Sequence, residues 1–396
     1  MTSHSSTLNK ITTEAWVLYQ GQGNGADPQS AQLKREQFSF PNITPDEVLV
    51  EPIYGCWEAN MSHALQRSPV DICRLRQEGS VVIGNSGVVR VLRPGAAVTS
   101  VKAGDLCLLD GNVIKDKHGY TLKVLGFDAP GTIGLLAKQS KMPARCLIPL
   151  PGHSTFTAQE WAAFSVRYLT AWDNWKVAWG CWRAQMPELA PEQVHVWGWG
   201  GGVSLAQLAL ARQLGCQTAM IGSSPKRLAL IEKMGIRPID RSRFSGLAFD
   251  EELYQRDPAY RDRYREAEEY LLHLVAEHTQ GEGVSIFIDN IGAPVFRATL
   301  KALGRQGVIA TSGWKHGMRL SIMRGLECIN RHIHVNTHGS RDTEAWQAVQ
   351  AAEAMNWRPP VAGDRVYKWE EIPQLAAEYC EGKIESYFPL FEVNPL

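Results

Sequence analysis

Up to residue 156 the apolar positions of this chain come in short runs broken by turn residues. Beyond it, helical spacing alternates with brief apolar stretches. Residues 1–14 are mostly polar and are predicted to be disordered. Strands are predicted over 15–20 and 32–40, separated by GQGNGADPQS, and a turn at Pro45 enters another strand that leads into Gly55-Cys56-Trp57-Glu58-Ala59-Asn60. Residues 80–91 and 106–109 predict two more strands. Between them GAAVTSVKAGD carries the glycine turns of a small β-barrel corner, and strand and turn signals continue over 126–151. A helix is predicted over 157–175.

The chain is organised around VHVWGWGGGVSLAQLALARQLGCQTAMIGSSPKRLALIEKMG, residues 194–235. It scans as strand (194–197), glycine turn (Gly198, Gly200, Gly201, Gly202), helix (205–214), second strand (218–221), polar turn and helix. That order suits a dinucleotide fold, whose tight first turn brings backbone N–H groups to a pyrophosphate. A strict G-x-G-x-x-G needs glycine at Val203, and the looser G-x-x-G-x-x-G meets Ser204; the flanking strands and helix carry the match. After it, residues 241–283 hold a charged insertion with Tyr264, Tyr270–Leu272 and Val275 on its apolar side. Strands are predicted at 285–289, 307–310 and 332–335, a helix at 343–355, and mixed structure from 366 to 396. The order is an α/β architecture: a β-rich catalytic domain split around a doubly wound parallel-sheet Rossmann domain. The expected boundaries are 15–165, 166–334 and 335–396.

The second strand ends in Gly222-Ser223-Ser224-Pro225-Lys226-Arg227, with no Asp or Glu to hold ribose hydroxyls. Hydroxyls and cations suit a 2′-phosphate, so NADPH is expected rather than NADH. Lys226 and Arg227 equally fit the solvated start of a helix.

Composition narrows the partners. The 396 residues carry 41 basic and 41 acidic side chains, which argues against nucleic acid or an anionic membrane as partner. No run has the length of a transmembrane helix, and the N-terminus lacks an apolar signal core. Eight scattered cysteines without CxxC spacing fit reduced thiols in the cytoplasm. Thirteen tryptophans fit either core or cleft lining.

PDEVLVEP, VVIGNSGVVRVLRPGAAVTSVKAGD, GTIGLLAKQSKMPARCLIPLP, VRYLTAW and the glycine turn together resemble the medium-chain dehydrogenase/reductase superfamily, in its order and spacing. GSSPKRLALIEKMG, the charged insertion before SIFIDNIG, and GVIATSGWKHGMRLSIMRGLECINRHIHVNTHGSRDTEAWQAV resemble its crotonyl-CoA carboxylase/reductase branch of enoyl-thioester reductases. The resemblance implies a GroES-like catalytic domain, a homodimer, and hydride transfer from NADPH to the β-carbon of an enoyl-thioester. The resulting enolate takes a proton or carbon dioxide.

Zinc-dependent members resemble a pattern of one Cys and a later Gly-His-Glu. Here Cys56 stands at the first place, but Gly84-Asn85-Ser86-Gly87 replaces the second, and the four-cysteine zinc lobe is absent. One thiolate cannot build a site needing three or four ligands; Glu58 and His63 lie nearby but lack partners. No zinc is expected.

The branch's carbon dioxide pocket uses an Asn, a Phe-Glu pair and a His. By position these fall on Cys56 (or Asn60, if the alignment slips), Phe127-Asp128 and His338. The shorter carboxylate and the displaced Asn favour protonation over carboxylation, with Asp128 and His338 able to relay a proton. Asp128 equally fits a turn residue before Pro130, and His338 a polar hinge residue. Thr170 resembles a cofactor-contacting position and equally fits a helix interior. Lys315 and Arg319 suit carrier phosphates or a solvated loop.

The expectation is therefore an NADPH-dependent reductase with Gly198, Gly201, Gly202 and Val203 at the pyrophosphate and Ser223, Ser224, Lys226 and Arg227 at the 2′-phosphate. Phe127, Asp128 and His338 would line the reaction pocket beside Cys56, Trp57 and Asn60. Three alternatives stay open: a reductive carboxylase, a reductase of another activated alkene (an enone, a quinone or a dehydroamino acid), and a non-catalytic NADPH-binding protein.

Overall fold

The computed structural model describes residues 10–22, 31–313, 322, 324–337 and 345–396. The chain divides into two compact units, residues 1–166 with 341–396, and residues 167–340.

The first unit begins with β1 (Lys10–Tyr19), β2 (Lys34–Pro41) and β3 (Glu47–Cys56). Residues 10–14, expected in a disordered tail, are instead the first half of β1. Thr13, Ala15 and Val17 point inward at period two, and residues 10–17 pair antiparallel with β2 from Lys10↔Pro41 to Val17↔Lys34. Two short helices that the periodicity did not reveal follow, α1 (Ala59–Gln66) and α2 (Ile72–Arg76). The single strand expected over 80–91 is two, β4 (Ser80–Val81) and β5 (Gly87–Pro94), because the chain turns at Gly84, where φ is +116°. Then come β6 (Leu106–Leu109), the hairpin β7 (Asn112–Lys115) and β8 (Thr121–Val124), β9 (Ser140–Pro143) and β10 (Leu147–Pro149).

The long helix α3 (Ala158–Gln185) leads into the second unit. There the chain runs β11 (His195–Trp199), α4 (Gly202–Gln213), β12 (Gln217–Gly222), α5 (Pro225–Lys233), β13 (Arg237–Asp240), α6 (Glu251–Arg256), α7 (Pro258–His278), β14 (Val284–Asp289), α8 (Ala293–Ala302), β15 (Leu303–Thr311) and β16 (His334–Thr337). The return segment brings α9 (Ala345–Met355), β17 (Val366–Tyr367), α10 (Ile372–Cys380) and β18 (Leu390–Glu392) to the first unit, where β18 completes the large sheet by pairing antiparallel with β3.

The second unit's sheet is parallel throughout, in the order β13-β12-β11-β14-β15-β16. From β11 the chain steps outward to β12 and β13, then returns to the other side at β14. The direction of winding therefore reverses between β11 and β14, and the crevice at their carboxyl ends is where such sheets receive ligands. The charged insertion forms α6 and α7. It is not only a solvated face: Tyr264, Ala267, Leu271, Leu274 and Val275 are buried, and so is Glu268, which pairs with Arg297 (3.5 Å) and Lys301 (2.5 Å) on α8.

Candidate functional site

The second unit presents the nucleotide end. Gly198 is not in the turn, as expected, but inside β11, between Met220 and Ile288 of the neighbouring strands. A Cβ there would lie 3.1 Å from the Ile288 Cβ, so this glycine lets the strands and α4 close up. The turn itself is Gly200, with φ +137°, and Gly201, the N-cap of α4. No side chain caps this helix, and nothing stands within 4 Å of a Cβ built on Gly201. The first-turn N–H groups, those of Gly202 and Val203 among them, have no side-chain cap at the positive end of a twelve-residue helix, and with the open space at Gly201 they fit a pyrophosphate.

Sequence reasoning missed what holds this cradle. Ser204, fully buried where a fingerprint glycine would stand, donates from Oγ to the Trp199 carbonyl (3.1 Å). Asn290, just past β14, donates from Nδ2 to Ser204 Oγ (2.8 Å). The Asn290 Oδ1 accepts from both N (2.8 Å) and Oγ (3.1 Å) of Ser312, just past β15. The carboxyl ends of β11, β14 and β15 and the first turn of α4 are tied together by two side chains.

At the end of β12, Ser223 and Lys226 are exposed and Arg227 is half-buried. Ser224 has a structural duty: it is the N-cap of α5 and accepts from the Arg227 backbone N (3.3 Å). An acid missed in the sequence, Asp240, stands level with Gly222 on the adjacent strand. It accepts from the Ser242 backbone (2.8 Å), and hydrogen bonding from Ser242, with Arg243 nearby, holds its carboxyl below the usual range. Thr170 is half-buried in α3.

In the first unit, Cys56 ends β3, buried between β5 and β18. Trp57 is buried and donates from Nε1 to Ser62 Oγ (3.0 Å), and Asn60 lies in the first turn of α1. Residues 84–87 form the hub of this region. Cys56 N donates to the Ser86 carbonyl (3.0 Å), Gly84 N to the Gly126 carbonyl (3.1 Å), and Leu135 N to the Gly84 carbonyl (2.9 Å). The interlock is tight: a Cβ on Gly87 would meet the Tyr54 carbonyl oxygen at 2.3 Å, and one on Gly126 the Gly84 oxygen at 2.4 Å.

Asp128 uses its carboxylate on its own loop, accepting from Val124 N (2.7 Å) and pairing with Lys123 (3.5 Å), while Phe127 packs half-buried on the core. These are the contacts of a turn. His338, Lys315 and Arg319 lie outside the described residues. Among the described residues no three His, Cys, Asp or Glu side chains gather as metal ligands, and no helix is long and apolar enough to cross a membrane.

No protein-family model matches the chain. It is 24% identical over 402 residues to a crotonyl-CoA reductase of Streptomyces collinus, covering 93% of this chain and 83% of that protein. It is also 24% identical over 314 residues to a crotonyl-CoA reductase of Streptomyces avermitilis, covering 74% of this chain but only 64% of that protein's length. Among solved structures, crotonyl-CoA carboxylase/reductase AntE in complex with NADP superposes with a TM-score of 0.78 at 18% identity, covering 97% of this chain and 95% of that one. The chain is thus similar in sequence to crotonyl-CoA reductases and shares the fold of the crotonyl-CoA carboxylase/reductase structures, a split β-rich unit with a parallel nucleotide-type sheet.

Proposed function

We propose that this chain is an NADPH-dependent reductase of an activated carbon–carbon double bond, that of an enoyl-thioester. One observation carries the proposal: an uncapped α4 N-terminus, opened by Gly201 at the point where the sheet reverses, stands beside a β12 end that offers hydroxyls and cations and no acid of its own. Bound there, NADPH supplies the hydride that adds to the β-carbon. The chain's own groups bind and orient. The first-turn N–H groups of α4 hold the pyrophosphate, Ser223, Lys226 and Arg227 face the 2′-phosphate, and Thr170 lies along the cofactor. The Ser204–Asn290–Ser312 ties keep the strand ends in place around it.

Cys56, Trp57, Asn60 and Phe127 line the reaction pocket. Asp128 fixes its loop through Val124 N and Lys123, and a proton quenches the enolate. Protonation is preferred to carboxylation because Cys56 replaces the Asn of a carbon dioxide pocket and Asp128 is a methylene short. The site works without zinc, since Asn85 and Ser86 replace the His and Glu of the zinc pattern. The working unit is a cytoplasmic homodimer joined through the edge strand β16, where Val335 is 38% exposed and Leu326 and Ile329 are exposed nearby.

The test is NADPH oxidation with crotonyl-CoA and longer enoyl-CoAs, with and without bicarbonate, with products read by mass spectrometry. A reduced product formed without added carbon dioxide is expected. A carboxylated product would move the chain to the reductive carboxylases. NADPH binding without turnover of any thioester would sink the proposal and turn attention to enones and dehydroamino acids.

A further inference from the structure

Two carboxamides in the first unit have shielded oxygens with nothing to bond. Asn85 is only 3% exposed, and its Oδ1 has no hydrogen-bond partner among the described residues. The Oδ1 of Asn60 is in the same condition. Buried polar atoms in folded proteins are almost always paired, so two unmet acceptors in one region call for a cause. Asn60 opens α1 four residues beyond Cys56, Asn85 immediately precedes Ser86, and Cys56 N donates to the Ser86 carbonyl at 3.0 Å. Neither amide caps a helix or closes a turn through that oxygen.

An unmet acceptor is indifferent to a plain hydrocarbon chain and unhelpful to an enolate oxygen, which is itself an acceptor. What satisfies it is an O–H or N–H. We propose that the acyl part of the substrate carries a hydrogen-bond donor, a hydroxyl or amide N–H, and that Asn85 with Asn60 receives it. This rests on the enoyl-thioester reductase reading and deepens it: a crotonyl group lacks the feature that the site selects. A site built to hydrogen-bond a substrate hydroxyl discriminates strongly against the analogue lacking it, because its own polar group is then left buried and unpaired.

The test compares saturated products bound to the full-length protein with NADP⁺ present: butyryl-CoA, 4-hydroxybutyryl-CoA and 4-methoxybutyryl-CoA, by titration calorimetry. The hydroxyl compound is expected to bind about tenfold more tightly than the other two. Asn85→Leu should erase that preference and bind butyryl-CoA no worse. Asn85→Asp, which keeps the acceptor, should retain the preference, and Asn60→Leu should weaken it. Turnover of crotonyl-CoA and 4-hydroxycrotonyl-CoA with NADPH is followed in parallel. Equal affinity for all three products, or a methoxy compound as good as the hydroxyl, overturns the proposal and assigns the two oxygens to bound water. If crotonyl-CoA is reduced as fast as its hydroxylated analogue, the reductase assignment stands and the donor proposal falls. If no thioester is bound or reduced, both fall.

Discussion

Ser204 and Asn290 should be energetically coupled, and the coupling is measurable. Asn290→Ala removes one donor, to Ser204 Oγ at 2.8 Å, and one acceptor that serves Ser312 N at 2.8 Å and Ser312 Oγ at 3.1 Å. Three neutral hydrogen bonds at about 1 kcal/mol each set an upper figure of about 3 kcal/mol. Asn290 and Ser312 are only half-buried, so water replaces part of that, and a loss of about 2 kcal/mol is expected. Ser204→Ala removes the bond to the Trp199 carbonyl and leaves Asn290 Nδ2 unmatched, for about 1.5 kcal/mol. The two substitutions delete one bond in common. The double variant should therefore fall short of the sum by about 1 kcal/mol. Ser204→Gly, which restores the fingerprint glycine, should cost more than Ser204→Ala, because glycine in a helix adds roughly 1 kcal/mol. Urea unfolding followed by circular dichroism supplies the energies, and amide exchange at Ser312 shows whether the strand end has loosened. Strict additivity to within about 0.3 kcal/mol, or a glycine variant more stable than the parent, would refute the network as the tie between these strand ends.

Three further outcomes follow from the same geometry. Lys226→Glu with Arg227→Ala should lower the preference for NADPH over NADH by about 10- to 100-fold in kcat/KM, mainly through KM, since charge-assisted bonds to a phosphate contribute roughly 1.5–3 kcal/mol; an unchanged ratio would move the 2′-phosphate elsewhere. Arg297 lies 4.9, 4.7 and 5.7 Å from the ring centroids of Phe249, Tyr254 and Tyr264 and pairs with buried Glu268, so Arg297→Ala should cost about 2–3 kcal/mol and expose α6 and α7 to limited proteolysis first. Burial lowers the imidazole pKa of His63, and burial likewise dominates the lowering at His195 and His278. Their stabilising contribution is complete above the unfolded value of about 6.5 and is lost as pH falls from there through the lowered folded values; His63→Gln should flatten that fall in a urea series from pH 7.5 to 5, and an unaltered slope would remove His63 as a cause.

The parts of this molecule legible in its sequence are those in which side-chain pattern and backbone role coincide. β11 is buried on both faces and reads as apolar residues, α4 repeats at helical spacing, and the turn between them announces itself in glycine. Where the two diverge, the sequence misleads. Glycine marks a place without a Cβ, and does not tell a turn from a strand pressed against its neighbour, so Gly198 reads as part of the turn when it lies in β11 beside Ile288. β13 passed unseen because its four residues Arg237–Asp240 include a proline and almost no apolar run, and only pairing with β12 makes them a strand. The Gly84–Gly87 turn acts through its backbone, which no residue type advertises, while Val81, Val82, Ile83 and Val88 on either side present the composition of one continuous strand.

Two positions that depart from the patterns the chain resembles, 204 and 85, are met by the fold in opposite ways. Position 204 should be glycine for close packing, yet serine is accommodated because Asn290 and the Trp199 carbonyl give its hydroxyl two partners in a buried site. Position 85 stands where zinc-dependent relatives place a histidine, and an asparagine there keeps a polar group buried without meeting its acceptor. An unpaired buried amide costs about 1–3 kcal/mol, and a leucine of similar size would remove the cost. Ser204 is a polar substitution the fold has satisfied; Asn85 is one it has not. The contrast predicts opposite results for replacing each with an apolar residue of similar size: stability lost at 204, stability kept or gained at 85, and substrate discrimination lost only at 85. Thermal unfolding of Ser204→Ala and Asn85→Leu, set beside their selectivity for hydroxylated thioesters, decides it. If Asn85→Leu lowers Tm as much as Ser204→Ala does, Asn85 is a structural residue and the case for a substrate-facing amide is lost.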